Sequence, residues 1–71
     1  MEELTIKQKE VYDFICKYIK NYGYSPSVRD ISKVFNHSTA TIHSHLLTLK
    51  EKGYIDYVEG KARTIKIINN I

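Results

Sequence analysis

A change of hydrophobic period at Gly53 constrains this chain more than any other feature of its sequence. Before Gly53, apolar residues recur at spacings of three and four, which predicts helices; after it the period is two, which predicts strands. With 71 residues and one cysteine, the chain has room for one small domain and no internal disulfide framework. We therefore expect a single domain over residues 1–71, α+β in class and mainly α.

Three helices are predicted before Gly53, because each apolar stripe follows a residue that can cap a helix N-terminus. The first two span about residues 6–21 and 28–35, and the third begins at Ser38 or Thr39 and ends at Gly53. The third helix turns Ile42, Leu46 and Leu49 toward the core.

Two strands are predicted after Gly53, at about 54–58 and 64–68, where aromatic and β-branched residues are frequent. The segment between them contains Gly60, Lys61 and Arg63, which predicts a hairpin with a basic tip. We expect residues 69–71 to be frayed. The order of these elements predicts a three-helix winged helix-turn-helix with a two-stranded antiparallel β-hairpin as the wing.

The exposed face of the third helix has unusual residue types for such a face. It carries short, uncharged groups: Thr39, Ala40, Thr41, His43, Ser44 and Thr48. Ser and Thr are poor helix formers, and an ordinary exposed face favours Glu, Lys and Arg. Short hydroxyl and methyl groups instead let a helix lie deep in the DNA major groove and match the pattern of the base edges. The face therefore favours base readout over its alternative, a poorly optimised surface helix.

Positive charge is concentrated in residues 25–71, because residues 1–24 carry four lysines and four acidic residues and are neutral overall. The candidates for contact with the DNA backbone are Arg29, Thr39, Lys61 and Arg63. The alternatives are simple N-capping for Thr39, a solvated turn for the two wing residues, and a local ion pair with Asp30 or Asp13 for Arg29.

Catalytic and metal-binding chemistry are not expected. His43 and His45 are two residues apart on a helix and point to different sides, so they do not chelate one metal ion readily. Cys16 is predicted to be a packed thiol, and no His/Asp pair is spaced to activate a nucleophile. We expect no enzyme activity, metal, cofactor, small-molecule ligand, signal peptide or membrane span, and a cytoplasmic, nucleoid-associated protein.

Five stretches carry a resemblance to a known family that spans almost the whole chain. They are LT at 4–5 with Gln8 and Val11, GYSPSVRDI at 23–31, STATIHSHL at 38–46, KGYI at 52–55 and KARTIKI at 61–67. They resemble the N-terminal DNA-binding domain of the LexA repressors, a winged helix-turn-helix. The resemblance implies binding to a double-stranded DNA operator and repression of DNA-damage (SOS-type) genes, with phage or mobile-element genes as the other expected targets. Because one small domain with few phosphate contacts should bind weakly alone, we also expect dimerisation on paired half-sites.

The resemblance also implies roles for individual residues. Ser38, Ala40, Thr41, His43 and Ser44 fall on the helix positions that face bases, and Lys61 and Arg63 fall on the wing.

The sequence departs from the family in two ways. The turn at residues 35–37 is shorter than the family's turn, and the family's self-cleaving, dimerising Ser/Lys peptidase domain has no counterpart in these 71 residues. The ending at residues 67–71 favours a free-standing bacterial or phage protein over an excised domain.

A protein-interaction module is the alternative function. Winged helices can also dock proteins, and Tyr54, Tyr57 and the extra aromatic residues of the first helix would be its exposed anchors.

Overall fold

The computed structural model describes residues 3–68, which form three helices and a two-stranded antiparallel sheet. The elements are α1 (Ile6–Tyr22), α2 (Val28–Phe35), α3 (Thr39–Glu51), β1 (Ile55–Asp56) and β2 (Lys66–Ile67). This order confirms the predicted fold class. The prediction of frayed residues at 69–71 lies outside the described residues.

Each helix begins at the cap that the sequence predicts. The Thr5 hydroxyl accepts the N–H of Gln8 at 3.2 Å, and the Gln8 side chain accepts the N–H of Thr5 at 3.0 Å. Ser27 and Asp30 form the same reciprocal pair at 3.0 and 3.1 Å. Ser38, not Thr39, caps α3. These bonds satisfy backbone donors that would otherwise lack a partner in the first helical turn.

The turn between α2 and α3 is held by backbone geometry and one serine. Asn36 ends α2 in the left-handed conformation, with φ of 55°, which Asn tolerates better than most residues. The Ser32 hydroxyl donates to the carbonyl of His37, and the His37 N–H donates to the carbonyl of Ser32 at 3.2 Å. This turn fixes the direction in which α3 leaves α2.

One hydrophobic core joins all three helices to the hairpin. Its buried residues are Val11, Tyr12, Ile15, Ile31, Ile42, Leu46, Leu49, Tyr54, Ile55, Tyr57 and Ile65. The apolar stripe predicted for α3 is therefore the buried face of that helix. The predicted exposure of Tyr54 and Tyr57 is wrong, because both rings close the core from the hairpin side and are 8% and 9% exposed.

The strands are shorter than predicted. Among residues 3–68, Ile55 pairs with Ile67 and Asp56 with Lys66, and next to these pairs the Ile68 N–H donates to the Tyr54 carbonyl at 3.0 Å. After Asp56, the backbone N–H groups donate to side chains and not to the opposite strand. The Tyr57 N–H donates to Asp56 Oδ1 at 2.8 Å, and the Val58 N–H donates to Thr64 Oγ1 at 2.9 Å. Since these donors are already satisfied, the ladder does not continue to residue 58.

No helix in the described part of the chain is long and apolar enough to cross a bilayer.

Candidate functional site

The predicted base-reading residues lie together on the solvent side of α3. Ser38, Ala40, Thr41, His43 and Ser44 are all exposed, whereas Ile42 and Leu46 between and beyond them are buried. The helix therefore has one face that packs in the core and another that is exposed, where His43 alone among these residues meets a core side chain, with its ring centre 6.2 Å from that of Tyr57. The exposed face is free to contact a partner.

The hydroxyl groups of Ser38 and Thr41, at the start of α3, hydrogen-bond to each other. Ser38 Oγ accepts the N–H of Thr41 at 3.1 Å and donates to Thr41 Oγ1 at 2.9 Å. The Thr41 hydroxyl hydrogen is thereby left to donate outward. Thr48 is different, since its hydroxyl donates to the Ser44 carbonyl at 3.1 Å and is used inside the helix.

A groove runs between α3 and the wing. Its volume is about 810 Å³, and it is lined by residues of the α2 N-terminus, of α3 and of the wing, including Val28, Arg29, Thr39, Ala40, His43 and Lys61. All four predicted backbone contacts, Arg29, Thr39, Lys61 and Arg63, thus share one concave surface with part of the predicted reading face.

Arg29 and Lys61 are exposed, and within residues 3–68 neither side chain has an ion pair or a hydrogen bond. The local partners considered for Arg29 are taken by other residues: Asp30 pairs with Arg63 at 3.1 Å and Asp13 with Lys9 at 3.4 Å. The two basic groups are therefore available to an external anion.

The basic residues at the C-terminus of α3 are used inside the molecule instead. Lys50 Nζ donates to the Tyr57 carbonyl at 3.2 Å and lies 4.6 Å from the centre of the Tyr57 ring. Lys52 Nζ donates to the Glu3 carbonyl at 2.7 Å. These lysines tie α3 to the hairpin and to the start of the chain.

One contact across the groove was not predicted from the sequence. His43 Nε2 of α3 lies 3.8 Å from Glu59 Oε2 of the wing. A rim pair between exposed side chains stabilises the fold little. Its importance is positional, because it places an acidic group of the wing beside the reading face.

Arg63 lines the same groove as Lys61 but, unlike Lys61, also makes contacts within the fold. Its Nη1 atom lies 3.1 Å from Asp30 Oδ2, 3.1 Å from the Ser25 carbonyl oxygen and 3.3 Å from the Tyr18 hydroxyl. The guanidinium carbon also lies 5.3 Å from the centre of the Tyr24 ring. The prediction that Arg63 contacts DNA stays a prediction, and one nitrogen of its guanidinium, Nη1, is used within the fold.

We call Arg63, Asp30, Tyr18 and Ser25 the wing clasp, because they join the wing to α2, to α1 and to the turn between those helices. Sequence reasoning missed the clasp, since its members are distant in the chain and no local spacing marks them. The backbone N–H of Ser27, and after it the charge of Arg63, hold the pKa of Asp30 below its ordinary value, against the opposing effect of partial burial.

Three tyrosines form an aromatic patch beside the clasp. Ring centres are 4.5 Å apart for Tyr18 and Tyr22, 5.8 Å for Tyr18 and Tyr24, and 6.1 Å for Tyr22 and Tyr24. Tyr22 is 60% and Tyr24 51% exposed. The aromatic surface of the first helix is therefore partly open, unlike Tyr54 and Tyr57.

The side chains considered for metal or thiol chemistry do not converge. Among the residues described, no three His, Cys, Asp or Glu side chains are placed to hold a metal ion. Cys16 is half-buried, and burial raises the pKa of its thiol, which disfavours the nucleophilic thiolate.

Comparison with known protein sequences gives LexA matches along most of the chain. A family model described as the LexA DNA binding domain matches residues 1–64. The LexA repressor of Thermosipho africanus is 47% identical over 68 residues, which are 96% of this chain and 34% of that protein. The LexA repressor of Staphylococcus epidermidis is 46% identical over 70 residues, or 97% of this chain and 34% of that protein. The chain thus spans about a third of the length of these relatives.

A solved structure with a similar fold is the apo-Zalpha of zebrafish PKZ. Its TM-score is 0.56 at 22% sequence identity, with 89% of this chain and 98% of that chain covered. At this identity the likeness supports the three-helix winged fold alone.

Proposed function

The chain belongs to the family of LexA DNA-binding domains, and on that premise we propose that it is a sequence-specific double-stranded DNA-binding transcriptional repressor without enzyme activity of its own. Its targets would be DNA-damage genes or genes of a phage or mobile element. The observation that carries the proposal is the solvent face of α3, which is exposed and rich in short hydrogen-bonding groups. We place the protein in the cytoplasm, at the nucleoid.

In the proposed complex α3 lies in the major groove and reads bases. The reading residues are Ser38, Ala40, Thr41, His43 and Ser44. The outward hydrogen of Thr41 and the hydroxyl of Ser44 suit acceptors on base edges, whereas Ala40 suits a thymine methyl group. No side chain in this set is long, so the helix backbone can approach the floor of the groove.

Backbone contacts would flank this face. Thr39 lies in the first turn of α3, where free N–H groups favour a phosphate oxygen. Arg29 and Lys61 line the groove between α3 and the wing, and their lack of partners within residues 3–68 supports the same role. Because one small domain makes few phosphate contacts, we propose that two copies bind paired half-sites.

The test is operator selection followed by titration of two variants. The purified chain is used to select DNA from a random-sequence pool, and the selected duplex is titrated with the parent, Thr41→Ala and Ser44→Ala. Each lost hydroxyl contact costs about 1 kcal/mol, so affinity should fall roughly fivefold for that duplex and much less for unrelated DNA.

Asn21→Ala is the control, because Asn21 is an exposed polar residue on α1 and away from α3. It should leave the affinity unchanged. If both α3 variants bind the selected duplex as tightly as the parent, base readout by this face is wrong.

Docking of another protein is the second candidate function. The exposed rings of Tyr22 and Tyr24 favour it, since aromatic side chains are enriched at the centres of protein interfaces. A parent chain without measurable affinity for any selected duplex at moderate salt would favour this candidate over DNA binding. Tyr22→Ser would then weaken binding to the protein partner, whereas it should not alter the affinity for a selected duplex.

A further inference from the structure

The position of the wing is not set by its own strands. In the described part of the chain the hairpin has two residue pairs, and a ladder of this length holds little structure by itself. Arg63 also has a φ of 58°, a left-handed conformation that a non-glycine residue keeps only when its surroundings hold it. Other contacts must therefore hold the wing against the helices.

The wing clasp supplies those contacts from α1, α2 and the turn between them. Arg63 reaches Asp30 in the first turn of α2 and the carbonyl of Ser25 in the preceding turn, both at 3.1 Å. The Tyr18 hydroxyl donates to the same oxygen of Asp30 at 3.4 Å. One carboxylate oxygen thus joins α1, α2 and the wing.

A second tie lies two residues further along the wing. The N–H of Ile65 donates to the hydroxyl of Ser25 at 3.1 Å, and Ser25 is only 6% exposed. Ser25 therefore accepts two hydrogen bonds from the wing. Its carbonyl accepts from the Arg63 side chain, and its hydroxyl accepts from the backbone N–H of Ile65, just before β2. The amide of Ile65 reports directly whether the wing is docked.

We propose that Arg63 is a positioning residue, which fixes the wing against α2 so that Lys61 reaches the DNA backbone while α3 occupies the major groove. The inference rests on the proposed function. Since Asp30 follows Arg29 in α2, the clasp also sets the distance between Arg29 and Lys61, which both line the groove.

A direct phosphate contact by Arg63 is the competing role. Nη1 alone makes the contacts with Asp30, Ser25 and Tyr18, so the other guanidinium nitrogens could contact a phosphate while the pair with Asp30 stays in place. The two roles predict different outcomes when lysine replaces Arg63. The lysine ammonium ends one bond short of Nη1 and cannot stack on Tyr24 as a planar guanidinium does, but it binds an exposed phosphate well.

The experiment compares Arg63→Lys and Asp30→Asn with the parent, and Lys61→Ala is the matched control on the same wing. Hydrogen exchange of the Ile65 amide, followed by NMR without DNA, measures wing docking. Titration of the selected duplex at several salt concentrations gives the affinity and the salt slope.

We expect Arg63→Lys and Asp30→Asn each to speed exchange at Ile65 several-fold and to weaken DNA binding about tenfold. The result for Asp30→Asn is informative, because removal of a negative charge would by itself strengthen DNA binding. The double variant should bind DNA no more weakly than the weaker-binding single variant, since both changes break the same contact between Arg63 and Asp30. Lys61→Ala should leave exchange unchanged and reduce the salt slope by about 1.

Two results would overturn the inference. If Ile65 exchanges at the parent's rate in Arg63→Lys, the clasp does not hold the wing. If Arg63→Lys keeps the parent's affinity while Arg63→Gln loses affinity and about 1 in salt slope, Arg63 contacts phosphate directly. A parent that binds no selected duplex contradicts the proposed function instead, whereas the exchange comparison still decides whether the clasp exists.

Discussion

At the scale of single residues, Asp30 has two structural tasks. Its carboxylate accepts the Ser27 N–H at the start of α2 and pairs with Arg63 of the wing. Its role as a cap could be predicted from its place three residues after Ser27. Its role in the clasp could not, because Arg63 lies far along the chain and the sequence suggested Arg29 as the nearer cation. Asp30 thus couples a helix end to the wing.

The pH dependence of stability follows from this coupling. The pKa of Asp30 is lowered by the Ser27 N–H and then by Arg63, so its contribution to folding is present above the unfolded pKa of about 3.9 and is lost as pH falls through the lower folded pKa. Asp30→Asn should lose less free energy of unfolding than the parent between pH 7 and pH 3.

Urea unfolding at pH 7, 4 and 3 measures this difference. Asp13→Asn is the control, because Asp13 makes only an exposed pair with Lys9 on α1. It should keep the parent's acid-induced loss. An equal loss in the parent and in Asp30→Asn would show that Asp30 is not the group responsible.

At the scale of elements, the helices were predictable and the strand lengths were not. A cap and a helical stripe are local patterns, so Thr5, Ser27 and the buried face of α3 could be read from the sequence. The strand residues favour extended structure, yet the side chains of Asp56 and Thr64 take the backbone donors that a longer ladder would need. Local propensity does not reveal such competition.

The cap of α3 yields a prediction about that helix. Ser38→Ala removes the acceptor of the Thr41 N–H, so the free energy of unfolding should fall by about 1 kcal/mol. Urea unfolding at neutral pH measures it. Ser44→Ala, a change of the same kind in the helix interior, is the control and should be neutral or slightly stabilising, because Ala has the higher helix propensity. Equal stabilities for Ser38→Ala and the parent would mean that the cap contributes nothing.

At the scale of the whole molecule, a chain of 71 residues depends on each buried side chain. A domain of this size has a free energy of unfolding of about 4–10 kcal/mol. Ile31 is the one fully buried side chain that α2 contributes among the described residues, so it anchors this short helix to the core. The position of Arg29 and Asp30 depends on that anchor.

Ile31→Ala should therefore cost about 2–5 kcal/mol, a large part of the total stability. Thermal unfolding followed by circular dichroism measures it, with Val34→Ala as the control on the same helix. Val34 is 60% exposed, so its truncation should change the stability by less than about 0.5 kcal/mol. Equal effects of the two changes would contradict the packing described for α2.

Exposed residues of the candidate site could be predicted as a group, because they are the complement of the α3 core stripe. The arrangement around them could not. His43 meets Glu59, and Arg63 meets Ser25, only when the chain has folded and brought the wing back to the helices. Sequence patterns identify residue types and helix faces, whereas these contacts depend on the tertiary path.

The division of α3 into two faces has a consequence for how such a protein can change. No residue of the buried stripe belongs to the solvent face, so Ala40, Thr41, His43 and Ser44 can be randomised together while that stripe stays unchanged, and the contact of the His43 ring with Tyr57 is the one tie to the core that changes among the described residues. A combinatorial library at these four positions, selected against different DNA duplexes, should keep the fold in most of its members. New specificities could then arise on one unchanged scaffold, both in the laboratory and in evolution.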